Sequence, residues 1–211
     1  MGDWYPYAKA AATLFVILNP IGVAPLFLSF MVGHSDAERR RTARTAGITV
    51  ACVLLVAAFA GAELLRLFGV SIGAFRVAGG FLLLGTAVSM VQARLGPLKH
   101  TPEESAEAQE KESVAVVPLG IPLLAGPGSI SSAILYAQQA RGATDLAVLA
   151  AIFLAMGGIV TLLLSAALRL QRALGKTGIN VLTRLMGILL TALSIEFIVG
   201  GLQELIPALG R

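Results

Sequence analysis

Residues 7–32 read YAKAAATLFVILNPIGVAPLFLSFMV, an apolar stretch with one charge, Lys9, near its start. A helix needs about 20 predominantly apolar residues to cross about 30 Å of hydrocarbon, and this stretch is long enough. It has a defect near its middle, Asn19-Pro20-Ile21-Gly22. Proline has no N–H and its ring clashes with the carbonyl four residues back. A helix through Pro20 therefore loses a hydrogen bond, and the Val16 carbonyl is freed. Broken backbone at membrane depth is tolerated only where it faces protein or a wet cavity. The stretch reads as a membrane-spanning helix in two pieces, not a cleaved leader, because it opens on Asp3 rather than a basic cluster.

The rest of the chain extends this reading. Of 211 residues, 56% are hydrophobic and 13% are charged, with a net charge of +4. Soluble domains carry about 25% charged residues. A chain this short has too little interior to hide so much apolar surface. Five further apolar stretches follow, at 45–65, 70–92, 114–138, 146–168 and 181–203. The expected fold is all-α and integral to the membrane, with six transmembrane helices.

The loops fit this division. Ser35-Asp36-Ala37-Glu38 reads as a capping box opening the second helix. Thr101-Pro102-Glu103-Glu104 reads the same way, with Glu107 and Lys111 placed as an i,i+4 pair. Ten Lys and Arg residues fall in the first-to-second, third-to-fourth and fifth-to-sixth loops: Arg39, Arg40, Arg41, Arg44, Arg94, Lys99, Lys111, Arg169, Arg172 and Lys176. Four fall on the other side: Lys9, Arg66, Arg141 and Arg211. The positive-inside rule places the ten in the cytoplasm and both termini outside. In this setting the positive charge signals orientation rather than nucleic-acid binding.

The two halves repeat. Arg76-Val-Ala-Gly79 is matched by Arg184-Leu-Met-Gly187 at an offset of 108, and Pro20 by Pro127 at 107. Residues 1–93 then form one three-helix repeat, 94–113 a cytoplasmic linker with a short polar helix, and 114–211 the second repeat. Three helices is an odd number, so the second repeat is inverted. The first and fourth helices are expected to be discontinuous, since Gly126-Pro127-Gly128-Ser129 breaks the fourth as Asn19-Pro20 breaks the first.

Paired breaks at corresponding places in two halves mark a transporter's binding region. Helix N-termini offer N–H groups and the positive end of a dipole to an anion, and freed carbonyls accept from an ammonium. Together they suit a zwitterion. The candidate substrate residues are Leu18, Asn19, Pro20, Gly22, Ala125, Gly126, Pro127, Gly128 and Ser129. The competing reading is two kinked helices that hold no ligand. Ser129, Ser131 and Ser132 have a similar choice between facing a substrate and back-bonding to their own helix.

Three charges lie inside apolar stretches, where they are costly and usually paired or functional. Arg76 and Arg184 either snorkel to headgroups or tie down a broken helix through its carbonyls. Glu196 lies deeper and is either a proton-coupling carboxylate or a group lining a wet crevice. The glycines of Gly79-Gly80 and Gly157-Gly158 read as close helix packing. Cys52 stands alone, so no intrachain disulfide forms, and His34 and His100 lie far apart in loops. No metal or cofactor is expected. The chain has no Ser/His/Asp set and no phosphate-cradling loop, so enzyme chemistry has no support.

At Asn19-Pro-Ile-Gly-Val-Ala-Pro-Leu-Phe-Leu28, Ala74-Phe-Arg-Val-Ala-Gly-Gly80, Gly120-Ile-Pro-Leu-Leu-Ala-Gly-Pro-Gly128 and Arg184-Leu-Met-Gly187, the chain resembles the MarC family. The resemblance covers nearly the whole chain. It implies a bacterial or archaeal cytoplasmic-membrane protein of six helices in 3+3 inverted repeats. It also implies transport of glycine, alanine and similar small neutral amino acids, coupled to protons, with the two breaks in the substrate region. The expected partners are that substrate, the proton and the lipid bilayer; oligomeric state and direction of transport stay open. The alternatives are a structural or regulatory membrane protein without transport, and an exporter of other small metabolites.

Overall fold

A computed structural model describes residues 4–92, 115–206 and 208. The described residues form eight helical segments. They are α1 (Tyr5–Leu18), α2 (Pro20–Phe30), α3 (Asp36–Leu67), α4 (Ile72–Val91), α5 (Ala115–Leu124), α6 (Pro127–Gln139), α7 (Ala143–Ser165) and α8 (Ala167–Leu205). The Thr101 capping box, the Glu107–Lys111 pair and the 94–113 linker lie outside the described residues.

Among the described residues, five helical runs are long and apolar enough to cross a membrane: Tyr5–Phe30, Asp36–Leu67, Ile72–Val91, Ala143–Ser165 and Thr177–Leu205. The fourth expected stretch, 114–138, is divided between α5 and α6, neither of which reaches that length alone. Large side chains such as Val56, Phe59, Phe81, Leu162 and Ile188 stand exposed on the outer faces, as lipid contact requires.

One element boundary matches the sequence reading and one differs. The second helix starts at Asp36, ahead of the apolar stretch 45–65, because Ser35 and Glu38 form the expected reciprocal cap: Glu38 N–H donates to Ser35 Oγ and Ser35 N–H to Glu38 Oε2. Its basic first turns belong to the helix. The last helix starts at Ala167, and its opening segment is separated from Thr177–Leu205 by Gly175, whose φ of 63° breaks the helical path.

α5 is wound as a π-type helix: the Ala125 N–H donates five residues back to the Gly120 carbonyl at 2.8 Å. Pro118 and Pro122 remove two donors four residues apart, so the ordinary i→i−4 ladder has gaps in this segment.

The helices broken at Asn19 and Gly126 lie between two helix pairs. α3 packs on α7, and α4 packs on α8 over the largest helix–helix interface of the fold. α1 and α2 touch α7 and α8; α5 and α6 touch α3, and α6 also touches α4. One apolar core joins α1, α2, α3, α5, α6 and α7 around Leu14, Phe27, Leu54 and Phe153, and a second joins α4 and α8 around Leu83, Met90 and Leu190. Small residues set the spacing. A Cβ on Gly47 or Gly157 would strike the other's carbonyl across the α3–α7 contact, and Gly80 packs against Ser194 and Ile198 of α8. Gly157 and both Gly79 and Gly80 are the close-packing glycines the sequence suggested, whereas Gly158 faces open space.

Candidate functional site

The first break falls at Asn19, the one non-glycine residue with positive φ among those described (φ 46°, ψ 51°). A residue before proline is disfavoured in the right-handed helical region, and asparagine tolerates the left-handed one better than most. Asn19 then finishes one helix and starts the next. Its N–H donates to the Phe15 carbonyl at 3.0 Å, and its carbonyl accepts from the Val23 N–H at 3.1 Å. Its Oδ1 accepts from the Gly22 N–H at 3.2 Å, and its Nδ2 donates to the Met90 sulfur of α4 at 3.1 Å. Asn19 is 7% exposed and Leu18 1%. The Gly22 N–H, expected to face a ligand, is therefore capped from within its own turn. Gly22 has no room for a side chain, because a Cβ there would collide with the Asn19 carboxamide.

The second break is built differently. Ala125 is fully buried, Gly126 is extended (φ −84°, ψ 178°), and α6 starts at Pro127 with no side-chain cap. The Ile130 N–H is the first to close the helix, donating to the Gly126 carbonyl at 3.1 Å. The earlier donors, Gly128 N–H and Ser129 N–H, belong to the turn that has no intrahelical acceptor. Gly126 and Pro127 are partly exposed while Gly128 and Ser129 are buried. Ser129 Oγ donates to the Gly126 carbonyl and Ser132 Oγ to the Gly128 carbonyl, both at 2.9 Å; Ser131 Oγ lies 3.5 Å from the Phe75 carbonyl of α4. The serine hydroxyls back-bond or reach α4.

Both breaks rest on α4, at different depths. Gly128 meets Leu83, and Gly79 meets Pro127 and Ser131, while Asn19 meets Met90. Leu83 and Met90 are seven residues apart, about 10 Å along a helix axis. One amino acid, whose two charged groups flank a single carbon, does not span that distance. The two halves of the expected site are thus near one helix but not brought together.

The three intramembrane charges fare differently. Arg76 Nη1 pairs with Glu204 Oε1 of α8 at 2.7 Å. Its guanidinium lies over Gly200 and sits 5.6 Å from the Phe197 ring centre. It ties α4 to α8 rather than holding the carbonyls of a broken helix. Arg184 is exposed and makes no hydrogen bond or ion pair among the described residues, which fits snorkelling. Glu196 is also exposed, between Ile195 and Val199 on the outer face of α8, with no partner among the described residues. It lines no internal crevice with the broken helices.

Glu204 was not singled out by the sequence, because it falls just past the stretch 181–203. The signal that could have found it is the spacing Glu196, Gly200, Glu204 along one helix face. At the same end of the fold, Tyr7 Oη donates to Asp145 Oδ1 at 2.8 Å and links the start of α1 to the start of α7.

The family described as "MarC family integral membrane protein" matches residues 4–206. The UPF0056 membrane protein YhcE of Escherichia coli is 41% identical over 211 residues, covering 98% of this chain and 96% of that protein. A UPF0056 membrane protein of Methanocaldococcus jannaschii is 38% identical over 202 residues, covering 95% of this chain and 98% of its own. One from Aquifex aeolicus is 36% identical over 203 residues, covering 95% and 94%. No solved structure matches the chain significantly.

Proposed function

Since the chain belongs to the MarC family of integral membrane proteins, we propose that it is a proton-coupled secondary transporter of small neutral amino acids of the glycine and alanine type. The observation that carries this reading is the pair of helix breaks at Asn19-Pro20 and Gly126-Pro127, equivalent in sequence and packed on the same helix.

In this reading α5 and α6 together make the sixth crossing. The short connection from Gln139 to Ala143 and the Tyr7–Asp145 bond support it, since they bring the end of α6 toward the end where α1 starts. The halves 1–93 and 114–211 are then inverted repeats. The α3–α7 and α4–α8 pairs relate them, with the linker 94–113 and the basic loops in the cytoplasm of a bacterial or archaeal cell and both termini outside.

The open α6 N-terminus is the substrate's carboxylate site. Gly128 N–H and Ser129 N–H, at the positive end of the helix dipole, donate to it, and backbone carbonyls around Ala125 accept from the ammonium. Leu18, Asn19, Pro20 and Gly22 lie about 10 Å further along α4 and keep the first break closed rather than touching the substrate. No charged side chain is needed, so a zwitterion binds while a simple acid or amine leaves one set of backbone groups unpaired. A buried group left unpaired costs about 1–3 kcal/mol, roughly 5- to 150-fold in affinity.

The satisfied polar groups at the first break favour a second reading, a structural or regulatory membrane protein whose kinks bind nothing. Binding of radiolabelled glycine to the purified chain separates the two. Saturable binding displaced by alanine, but not by acetate or methylamine, supports the transporter. Absence of saturable binding by folded protein overturns it.

A further inference from the structure

Arg76 is paired with Glu204 near the end of α8, and a second acid of the same helix, Glu196, stands unpaired among the described residues eight residues earlier. The guanidinium lies over Gly200. Glu204 is four residues beyond Gly200 and Glu196 four residues before it. Side chains four apart on a helix have Cβ atoms about 5–6 Å apart, so the two acids flank Gly200 along one side of α8, with the guanidinium now drawn to Glu204. Gly200 makes the place between them, because a Cβ there would collide with the Arg76 Nη2. The Arg76 pairing is single-stranded, Nη1 to Glu204 Oε1, and its Nε is buried with no partner. Of the five N–H donors a guanidinium offers, several are left for a second acid. Glu196, meanwhile, lies nine residues before the end of α8 at Leu205, about 14 Å along the axis, on a face of exposed apolar side chains.

We propose that Glu196 is a proton-binding site whose occupancy is set by Arg76, which exchanges between Glu204 at the outer end of α8 and Glu196 one turn below Gly200. An ionised carboxylate facing hydrocarbon is costly unless it is paired. With Arg76 on Glu204, Glu196 takes up a proton on its carboxylate oxygen. When Arg76 swings to Glu196, the O–H bond breaks, the proton leaves to water, and the Glu196 carboxylate pairs with the guanidinium. Glu204 is then left at the helix end, where water solvates it. Arg76 stays charged throughout.

The surroundings are simple enough for this exchange to dominate. Arg76 is the only titratable residue of α4, and α2 has none. On α6 the one titratable group is Tyr136, which is hydrogen-bonded to Thr13 and lies within electrostatic reach of Arg76. Tyr5, Tyr7 and Lys9 sit at the start of α1, and Asp145 of α7 is held by Tyr7. The exchange rests on the transport reading for what it drives: proton uptake from outside would be coupled to movement of α4 against α8.

The test is pH-difference infrared spectroscopy on the purified chain in lipid nanodiscs, which needs no substrate. The wild type is expected to show a protonated-carboxyl band that is lost in Glu196→Gln. The same band is expected to be lost in Glu204→Gln and in Glu204→Ala, although Glu196 is intact, because Arg76 moves onto it. A Glu196-dependent band that survives in either folded Glu204 variant overturns the exchange, as does a wild type without that band. Glycine accumulation by proteoliposomes under a pH gradient is measured in parallel. If the bands behave as expected and no glycine moves, the exchange stands and the transport reading fails. If glycine accumulates and the band survives in Glu204→Gln, transport stands and the exchange fails.

Discussion

The Asn19 carboxamide caps the Gly22 amide at 3.2 Å, whereas Gly126, the residue before the equivalent proline, has no side chain to do the same for Ser129. Asn19 precedes Pro20 as Gly126 precedes Pro127, and Gly22 stands at the place of Ser129. One break closes its own helix N-terminus and the other leaves it open, which is why the proposed transport reading puts the ligand at α6.

Gly126→Asn follows from it. The Gly126 backbone is extended, the conformation an N-cap residue normally takes, so its dihedral angles suit an asparagine. Its carboxamide should cap Ser129 and stabilise the protein by about 0.3 kcal/mol, read as a slightly raised melting temperature in detergent. The same cap occupies the donors proposed for the substrate, so glycine binding should fall at least tenfold. A variant that is more stable and still binds glycine normally would move the carboxylate away from α6.

Asn19→Ala should lower stability by about 1 kcal/mol through loss of the cap. Asn19→Asp keeps an acceptor for the Gly22 N–H and should recover most of that loss. Thermal melts of the two variants check this. Equal melting temperatures would mean that the carboxamide contributes nothing as a cap.

The α3–α7 contact sets up a paired comparison. Gly157→Ala pushes a methyl group against the Gly47 carbonyl and Ala51, and such overpacking costs about 1–3 kcal/mol. Gly158→Ala points into open space within a helix interior and should stabilise by up to about 1 kcal/mol. Unfolding of both in mixed micelles measures the difference, and similar effects would show that the two glycines are equivalent.

Much of the framework was legible because its causes are local. Pro20 and Pro127 lack an N–H wherever they fall, so both breaks could be placed from the sequence alone. The Ser35–Glu38 cap needs only four residues. The partner of Arg76 was not legible, because Glu204 is 128 residues away and the pairing depends on how α8 lies on α4. The Met90 sulfur that accepts from Asn19 is 71 residues distant for the same reason. Glu196 looked internal because its neighbours are apolar, and only helix packing shows that those neighbours face outward. The π winding of α5 is a property of its whole hydrogen-bond ladder, which the proline positions weaken without dictating the form it takes.

Topology has its own check. Ten basic residues flank one side and four the other, so reporter fusions at the C-terminus should register an extracytoplasmic location. A cytoplasmic C-terminus would remove the inverted-repeat arrangement, because six crossings with the basic loops inside leave both ends out.

The central claim is transport, and glycine counterflow in proteoliposomes tests it most directly. Vesicles holding the purified chain and preloaded with unlabelled glycine should draw in a transient excess of labelled glycine. Vesicles holding Gly126→Asn, folded and at equal protein content, should not. Identical traces from wild type, the variant and protein-free vesicles would contradict the account and leave the two proline breaks as kinks.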